Sequence, residues 1–157
     1  MVVDINKLKT LRKKTGISIA LCKKALEESK NNPEKAEKIL LQWGAEKINA
    51  KKERTTSQGA IFSYVHHNKK IASLVEILCE TDFVSANCDF QKLGTELAMQ
   101  VASFTAKDIG ELLKQEYIRD PNKKVSDLIK EAILKFGENI KIERFVRWSL
   151  EIKSQKI

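Results

Sequence analysis

The sequence is short of the residues from which most small-molecule sites are built: six glycines, two histidines and three cysteines among 157 residues. A phosphate-cradling loop needs glycines where the backbone must approach the ligand, followed in the P-loop by a lysine. None of the glycines precedes a lysine and no two lie two residues apart, so neither common glycine motif for a nucleotide is present. The two histidines, His66 and His67, are adjacent, and neighbours in a strand point to opposite faces, which is poor geometry for sharing a metal ion. Cys22, Cys79 and Cys88 are odd in number and never spaced as CxxC. That argues against a disulfide framework and a four-ligand zinc site and for buried thiols in a reducing compartment. Glu80 and Asp82 can share a face at a strand end, but no third ligand or partner base lies near them, so catalysis by this pair is set aside. No catalytic residue, metal or cofactor is expected.

Long apolar runs are also missing. No stretch approaches the roughly 20 apolar residues of a membrane span, and Met1 to Thr10, with Asp4, Lys7 and Lys9, has no signal-peptide core. The expectation is a soluble, unexported, cytoplasmic protein without a membrane partner.

What is present is globular composition, 42% hydrophobic and 32% charged, in a chain long enough to bury roughly 70% of its unfolded surface. The formal net charge is +8 with a pI near 9.4, which favours acidic partners or nucleic acid without specifying a fold. The basic doublets, Lys13-Lys14, Lys23-Lys24, Lys51-Lys52, Lys69-Lys70 and Lys123-Lys124, are scattered along the chain rather than gathered in one stripe.

Periodicity divides the chain in two. Ile5, Leu8 and Leu11 mark a first helix that Gly16 stops in a left-handed cap. Ser18 caps a second, with Ile19, Cys22, Ala25 and Leu26 on one face. Asn32 and Pro33 launch a third, with Ala36, Ile39, Leu40 and Trp43, and Gly44 is expected to close it, although the chain from Ala45 to Lys52 can continue as helix. After the polar segment the period becomes two. Ile61 to Val65 and Ile71 to Cys79 form a hairpin about His67-Asn68-Lys69-Lys70. Helices follow over Phe90 to Phe104 and Val125 to Phe136, then a last strand through Ile140 to Leu150. Asp120-Pro121-Asn122 is expected to be a turn. The predicted fold is α+β: a three-helix module over residues 1–52, a linker over 53–58, and over 59–157 a small antiparallel sheet covered on one face by helices.

Thr81-Asp82-Phe83-Val84 places a large aromatic at a turn rather than on a periodic face. Such a residue is an anchor candidate, although Phe83 can equally fold back onto the helix that begins near Asp89.

The stretch Glu80 to Val84, ETDFV, resembles the signature of the elongation factor Ts family, and Tyr64 to Ile71 and Leu74-Val75-Glu76 fit the same family. Leu11-Arg12, Thr15-Gly16 and Cys22 to Leu26 resemble its ubiquitin-associated-like module, and Gly137-Glu138-Asn139-Ile140 with Arg144 resembles its last segment. The resemblance implies a guanine nucleotide exchange factor that does no bond chemistry and acts on elongation factor Tu in its GDP form. It implies that Asp82 and Phe83, with Thr81 and Val84, lie at the GTPase domain. There the Phe83 ring wedges between two helices and shifts the elements that hold magnesium and phosphate. It further implies that Arg12 and the loop from Thr15 to Leu21, with Gly16, Ile19 and Ala20, face the GTPase.

Where the family often shows a Gly-Met-Met-Asp run, this chain has Ser18, Ile19, Ala20 and Leu21, which exchanges flexible methionines for stiffer or smaller side chains. It resembles a short form without a second core subdomain or a helical hairpin insertion. No direct nucleic-acid contact is implied, and a homodimer is left open. Two rivals stand beside this reading. One is an RNA-binding protein, motivated by the charge and by Phe62 and Tyr64 on one strand face, although the RRM signature is missing. The other is a ubiquitin-type binding module with an unrelated second domain.

Overall fold

A computed structural model describes residues 2–50 and 54–150, and within them side chains outside 49–50. Residue contacts divide the chain into two compact units, one of residues 1–56 with 126–140 and one of 57–125 with 141–157. Residue 53 of the expected linker, residues 51–52 of the helical continuation and the end of the chain beyond Leu150 lie outside the described residues.

The first unit begins with α1 (Ile5–Thr15), α2 (Ile19–Glu28) and α3 (Pro33–Ala50). Their boundaries follow local chemistry. The Asp4 carboxylate accepts from the backbone N–H groups of Asn6 and Lys7 at the start of α1, satisfying donors that have no partner inside the helix. Gly16 ends α1 with φ 69°, its N–H donating to the Arg12 carbonyl, a conformation in which a Cβ is costly. Ser18 caps α2 through the Leu21 N–H, and Asn32 accepts from Lys35 N at 3.0 Å one residue before Pro33 opens α3. Leu11, Ile17, Cys22, Ala25, Leu26, Ala36 and Leu40 form the buried core with Leu134, which lies on α7 (Val125–Phe136).

Gly44 does not end α3. A Cβ there would lie 2.9 Å from the Lys130 carbonyl oxygen of α7, so the glycine permits close backbone approach in mid-helix, a use that outweighs its poor helix propensity.

The second unit is built on a three-stranded antiparallel sheet in the order β1 (Gln58–Val65), β2 (Ile71–Cys79), β5 (Lys141–Ser149). Phe62 pairs with Val75, which pairs with Phe145. Along β2, Ser73, Val75, Ile77 and Cys79 are buried, and α5 (Cys88–Ser103) packs against β1 and β2. Phe62 and Phe90 meet with ring centroids 6.0 Å apart, and the Ser73 hydroxyl donates to the Ala98 carbonyl at 2.6 Å. The architecture is therefore α+β. The helix expected over 125–136 is present, but its residues from Ser126 onward group with the N-terminal helices.

Three further elements carried too little periodicity to be foreseen: α4 (Asp82–Ser85), α6 (Ile109–Lys114) and a ribbon of β3 (Glu116–Tyr117) with β4 (Asp120–Lys124). The expected turn at Asp120 to Asn122 is instead part of β4, and the chain reverses at Ile118 and Arg119. Pairing jumps from Glu116↔Lys124 to Tyr117↔Asp120, so Pro121 lies in the irregular stretch where its missing N–H breaks no ladder bond. The reversal is fixed from α5: Ile118 N donates to the Gln100 side-chain oxygen at 2.9 Å, and the Tyr117 hydroxyl and Arg119 Nε donate to Glu96 at 2.8 and 2.6 Å.

Candidate functional site

The segment Thr81 to Val84 leaves the end of β2 and closes at once into the single turn α4. The Thr81 hydroxyl accepts from Val84 N at 3.4 Å, the Asp82 carboxylate accepts from Phe83 N at 2.9 Å, and the Ser85 hydroxyl donates to the Asp82 carbonyl at 2.9 Å. Below the turn, the Cys79 thiol donates to the Thr81 carbonyl at 3.2 Å. Beyond it, Asn87 caps α5 by accepting from Asp89 N at 2.8 Å, and the Gln91 amide reaches back to the Ser85 carbonyl at 2.7 Å.

This turn separates its two apolar side chains. Val84 is buried at 9% exposure, whereas Phe83 is 85% exposed beside the exposed Asp82. The ring does not fold back onto α5; Val84 is the side chain of the turn that is buried. An exposed aromatic on a backbone tied at both ends has the form of a binding anchor.

In the first unit, the α1–α2 loop is held from beneath. The Thr15 hydroxyl donates to the Leu11 carbonyl at 2.9 Å and accepts from Ile17 N at 3.3 Å. Ile17 is fully buried, and its carbonyl accepts from the Cys22 thiol at 3.6 Å. Burial pushes the Cys22 thiol above its ordinary value, against the smaller opposing effects of the Thr15 hydrogen bond and the Arg12 charge. With Ile17 pointing inward, Ile19 is left 49% exposed at the start of α2, next to exposed Ala20. Arg12 and Gly16 are exposed and Thr15 is partly covered. A residue without any signal in the local sequence joins them: Lys135 of α7 lies so near Gly16 that a Cβ there would be 2.8 Å from its Nζ. Gln91 was likewise missed, because its role depends on where α4 ends.

The other candidates resolve into structural roles. Phe62 packs inward and Tyr64 donates to or accepts from His66 Nδ1 at 3.1 Å, so the two aromatics do not form an exposed stacking pair. His66 and His67 lie beyond the end of β1, and their ring centroids are 4.1 Å apart; the opposite-faces expectation fails because the strand has already ended. Among the described residues no group of three His, Cys, Asp or Glu side chains could hold a metal ion, and no helix is long and apolar enough to cross a membrane. Cys22 and Cys79 are buried, but Cys88 is exposed at the first position of α5, where the helix turns its side chain away from the core.

Comparison with known proteins bears on both segments. The family profile described as "Elongation factor TS" matches residues 80–156, and that described as "Elongation factor Ts, mitochondrial, N-terminal" matches residues 1–47. The chain is 37% identical to "Elongation factor Ts" of Thermosipho melanesiensis over 194 aligned residues, covering 95% of this chain and 99% of the relative. It is 37% identical to that of Thermotoga maritima, covering 96% and 97%, and 38% identical to that of Aquifex aeolicus, covering 96% of this chain and 54% of the longer relative. An alignment of 194 residues against a chain of 157 means that the Thermosipho protein carries segments without counterpart here. With both profiles matched in order and relatives aligned almost from end to end, the chain belongs to the elongation factor Ts family, as a short form with a role in translation elongation.

Proposed function

We propose that the protein binds elongation factor Tu in its GDP form and promotes release of GDP without making or breaking a bond. The observation that carries this reading is Phe83, 85% exposed on a turn whose backbone is fixed. Inserted between helices of the GTPase, the ring displaces the elements that hold magnesium and phosphate, with Asp82 beside it and Thr81 and Val84 setting the turn. Magnesium requires near-ideal octahedral geometry, so a small displacement weakens the nucleotide sharply. Burying the ring contributes roughly 1.5 to 3 kcal/mol, about one to two decades in an equilibrium. The remainder of the grip comes from Arg12, Thr15, Gly16, Ile19 and Ala20. Linkage requires GDP to weaken binding of the factor by the same ratio. The direct test is release of fluorescent GDP from purified elongation factor Tu in the presence of magnesium. Acceleration by the wild type is expected, and a folded protein that leaves release unchanged sinks the proposal. This function places the working protein in the cytoplasm.

The outer face of the sheet supports a second copy of the chain as a further partner. Ile61, Val65, Leu74, Val146 and Trp148 all point from it and are 39 to 70% exposed. A contiguous apolar face of this kind is normally covered, and two such sheets pack about 10 Å apart. Sedimentation should then show a dimer that Trp148→Lys dissociates; a wild type that remains a 17.9 kDa monomer at high concentration removes this partner.

A further inference from the structure

The turn that carries Phe83 cannot stand by itself. α4 is four residues long, and a single helical turn fixes several backbone dihedrals for one hydrogen bond, so it persists only when something outside it holds it. Its own closing bonds are long. Val84 N donates to the Thr81 hydroxyl at 3.4 Å and Ser85 N to the Thr81 carbonyl at 3.3 Å, where about 2.9 to 3.0 Å is usual for N–H to oxygen. The bonds from Phe83 N to the Asp82 carboxylate and from the Ser85 hydroxyl to the Asp82 carbonyl also begin and end within the segment. They shape the turn without aiming it. Two bonds from other elements do aim it. Gln91 of α5 reaches the Ser85 carbonyl at the far end, and at the near end the Cys79 thiol donates at 3.2 Å to the Thr81 carbonyl, the same oxygen that accepts from Ser85 N.

Cys79 is the last residue of β2, pairs with Gln58 and is fully buried. Its side chain follows Ser73, Val75 and Ile77 on the covered face of the strand, so the sheet sets its position and the turn does not. Resting on the reading above, in which the Phe83 ring enters the GTPase, we propose that Cys79 is a positioning residue for Phe83. Its thiol ties the Thr81 carbonyl to the sheet and so sets the direction in which α4 presents the ring. A fully buried side chain has no surface to offer a partner, and any effect of its donor on exchange therefore passes through the turn. The net worth of one such hydrogen bond corresponds to a roughly two- to tenfold change in the population of the aimed turn. Apparent affinity falls in proportion to that population.

The experiment measures release of fluorescent GDP from elongation factor Tu at sub-saturating concentrations of the full chain, below the temperature at which any variant begins to unfold. Cys79→Ala removes the donor, whereas Cys79→Ser keeps a donor in a side chain of similar size. Each is made with and without Phe83→Ala, and Cys79→Val, which lacks the donor but refills the space, stands in should Cys79→Ala not fold. Release is expected to slow roughly two- to tenfold with Cys79→Ala and to stay within about twofold of wild type with Cys79→Ser. In the Phe83→Ala background Cys79→Ala should add little, because no ring is left to aim and the two changes are not additive. Equal losses with alanine and serine overturn the proposal in favour of packing, as does a Cys79→Ala loss that persists undiminished without the ring. Amide hydrogen exchange of the free proteins reads the tie without the GTPase: Val84 and Ser85 N–H should exchange faster in Cys79→Ala than in Cys79→Ser. Equal exchange there, while the wild type still releases GDP, overturns the positioning role alone. A wild type that releases no GDP, with the amide difference present, sinks the exchange reading and the role that rests on it.

Discussion

The side-chain amide of Gln91 donates to the backbone carbonyl of Ser85 at 2.7 Å, so the first turn of α5 holds the far end of the turn that presents Phe83. Thr81 holds the near end, and buried Val84 lies between them. A ring presented this way loses little backbone freedom on binding, and less of the contact energy is spent on ordering.

Phe83→Ala should separate function from stability. The ring touches little in the free protein, so the urea midpoint should shift by no more than about 0.5 kcal/mol in equivalent stability. Acceleration of GDP release should fall by roughly one to two decades. A large loss of stability would mean that the ring packs against the fold.

Val84→Ala should show the reverse emphasis. Truncating this buried side chain is expected to cost about 1 to 2 kcal/mol in denaturant unfolding. Whatever exchange is lost should be partly recovered at lower temperature, where the turn is better populated.

Gln91→Ala removes one hydrogen bond to α4 and leaves Phe83 itself intact. Stability should change by about 1 kcal/mol or less, and exchange should drop severalfold. A variant with wild-type exchange would show that the cap of α4 does not contribute to presenting the ring.

Gly94→Ala is a sign test of packing. Alanine in a helix ordinarily gains about 1 kcal/mol over glycine, but at this position its Cβ would overlap the Phe62 ring. Overpacking of roughly 1 to 3 kcal/mol should win and lower the thermal midpoint. A rise in the midpoint would show that the ring can move aside.

Glu96 gives a pH signature. Burial alone would raise its carboxyl, but hydrogen bonds from Arg119 and Tyr117 and the Arg119 charge outweigh burial and leave it below the ordinary value of 4.5. A depressed carboxyl contributes stability that is present above its unfolded value and lost as pH falls through the folded one. Tyr117 is shifted the other way: burial and the hydrogen bond to Glu96 push it up to about 12 from 10.0. Its contribution is full below pH 10 and is lost as pH rises through about 12. Thermal melts should therefore show that Glu96→Gln flattens the decline of the midpoint below pH 4.5 and alters the alkaline limb; parallel acid profiles for variant and wild type would contradict this.

Much of the fold was legible because its signals are local. Asp4, Gly16, Ser18 and Asn32 mark helix ends through bonds that span only a few residues, and the alternation of β2 registers directly as one buried and one outward face. The motif Thr81 to Val84 was also legible as an aromatic placed at a turn. Positions 109–124 were not: α6 is too short to show a period, and the β3–β4 reversal is held by Glu96 and Gln100, at least fifteen positions away in the chain.

The sequence alone marks α1, α2, α3, β1, β2, α5, α7 and β5 and most of their ends, because capping, left-handed glycine and hydrophobic period act within a few residues. It determined that Phe83 lies on a turn, but not which way the ring faces. That was decided by tertiary structure: one turn between β2 and α5 can direct only one of two neighbouring apolar side chains inward, and Val84 goes in. Tertiary packing also decided that Gly44 sits within α3, since the close approach of Lys130 to that glycine depends on a helix more than eighty residues further along. A still greater distance in sequence hid Lys135 from the loop it borders, because contacts between remote segments are set by how whole elements fill a core and leave no local pattern to read.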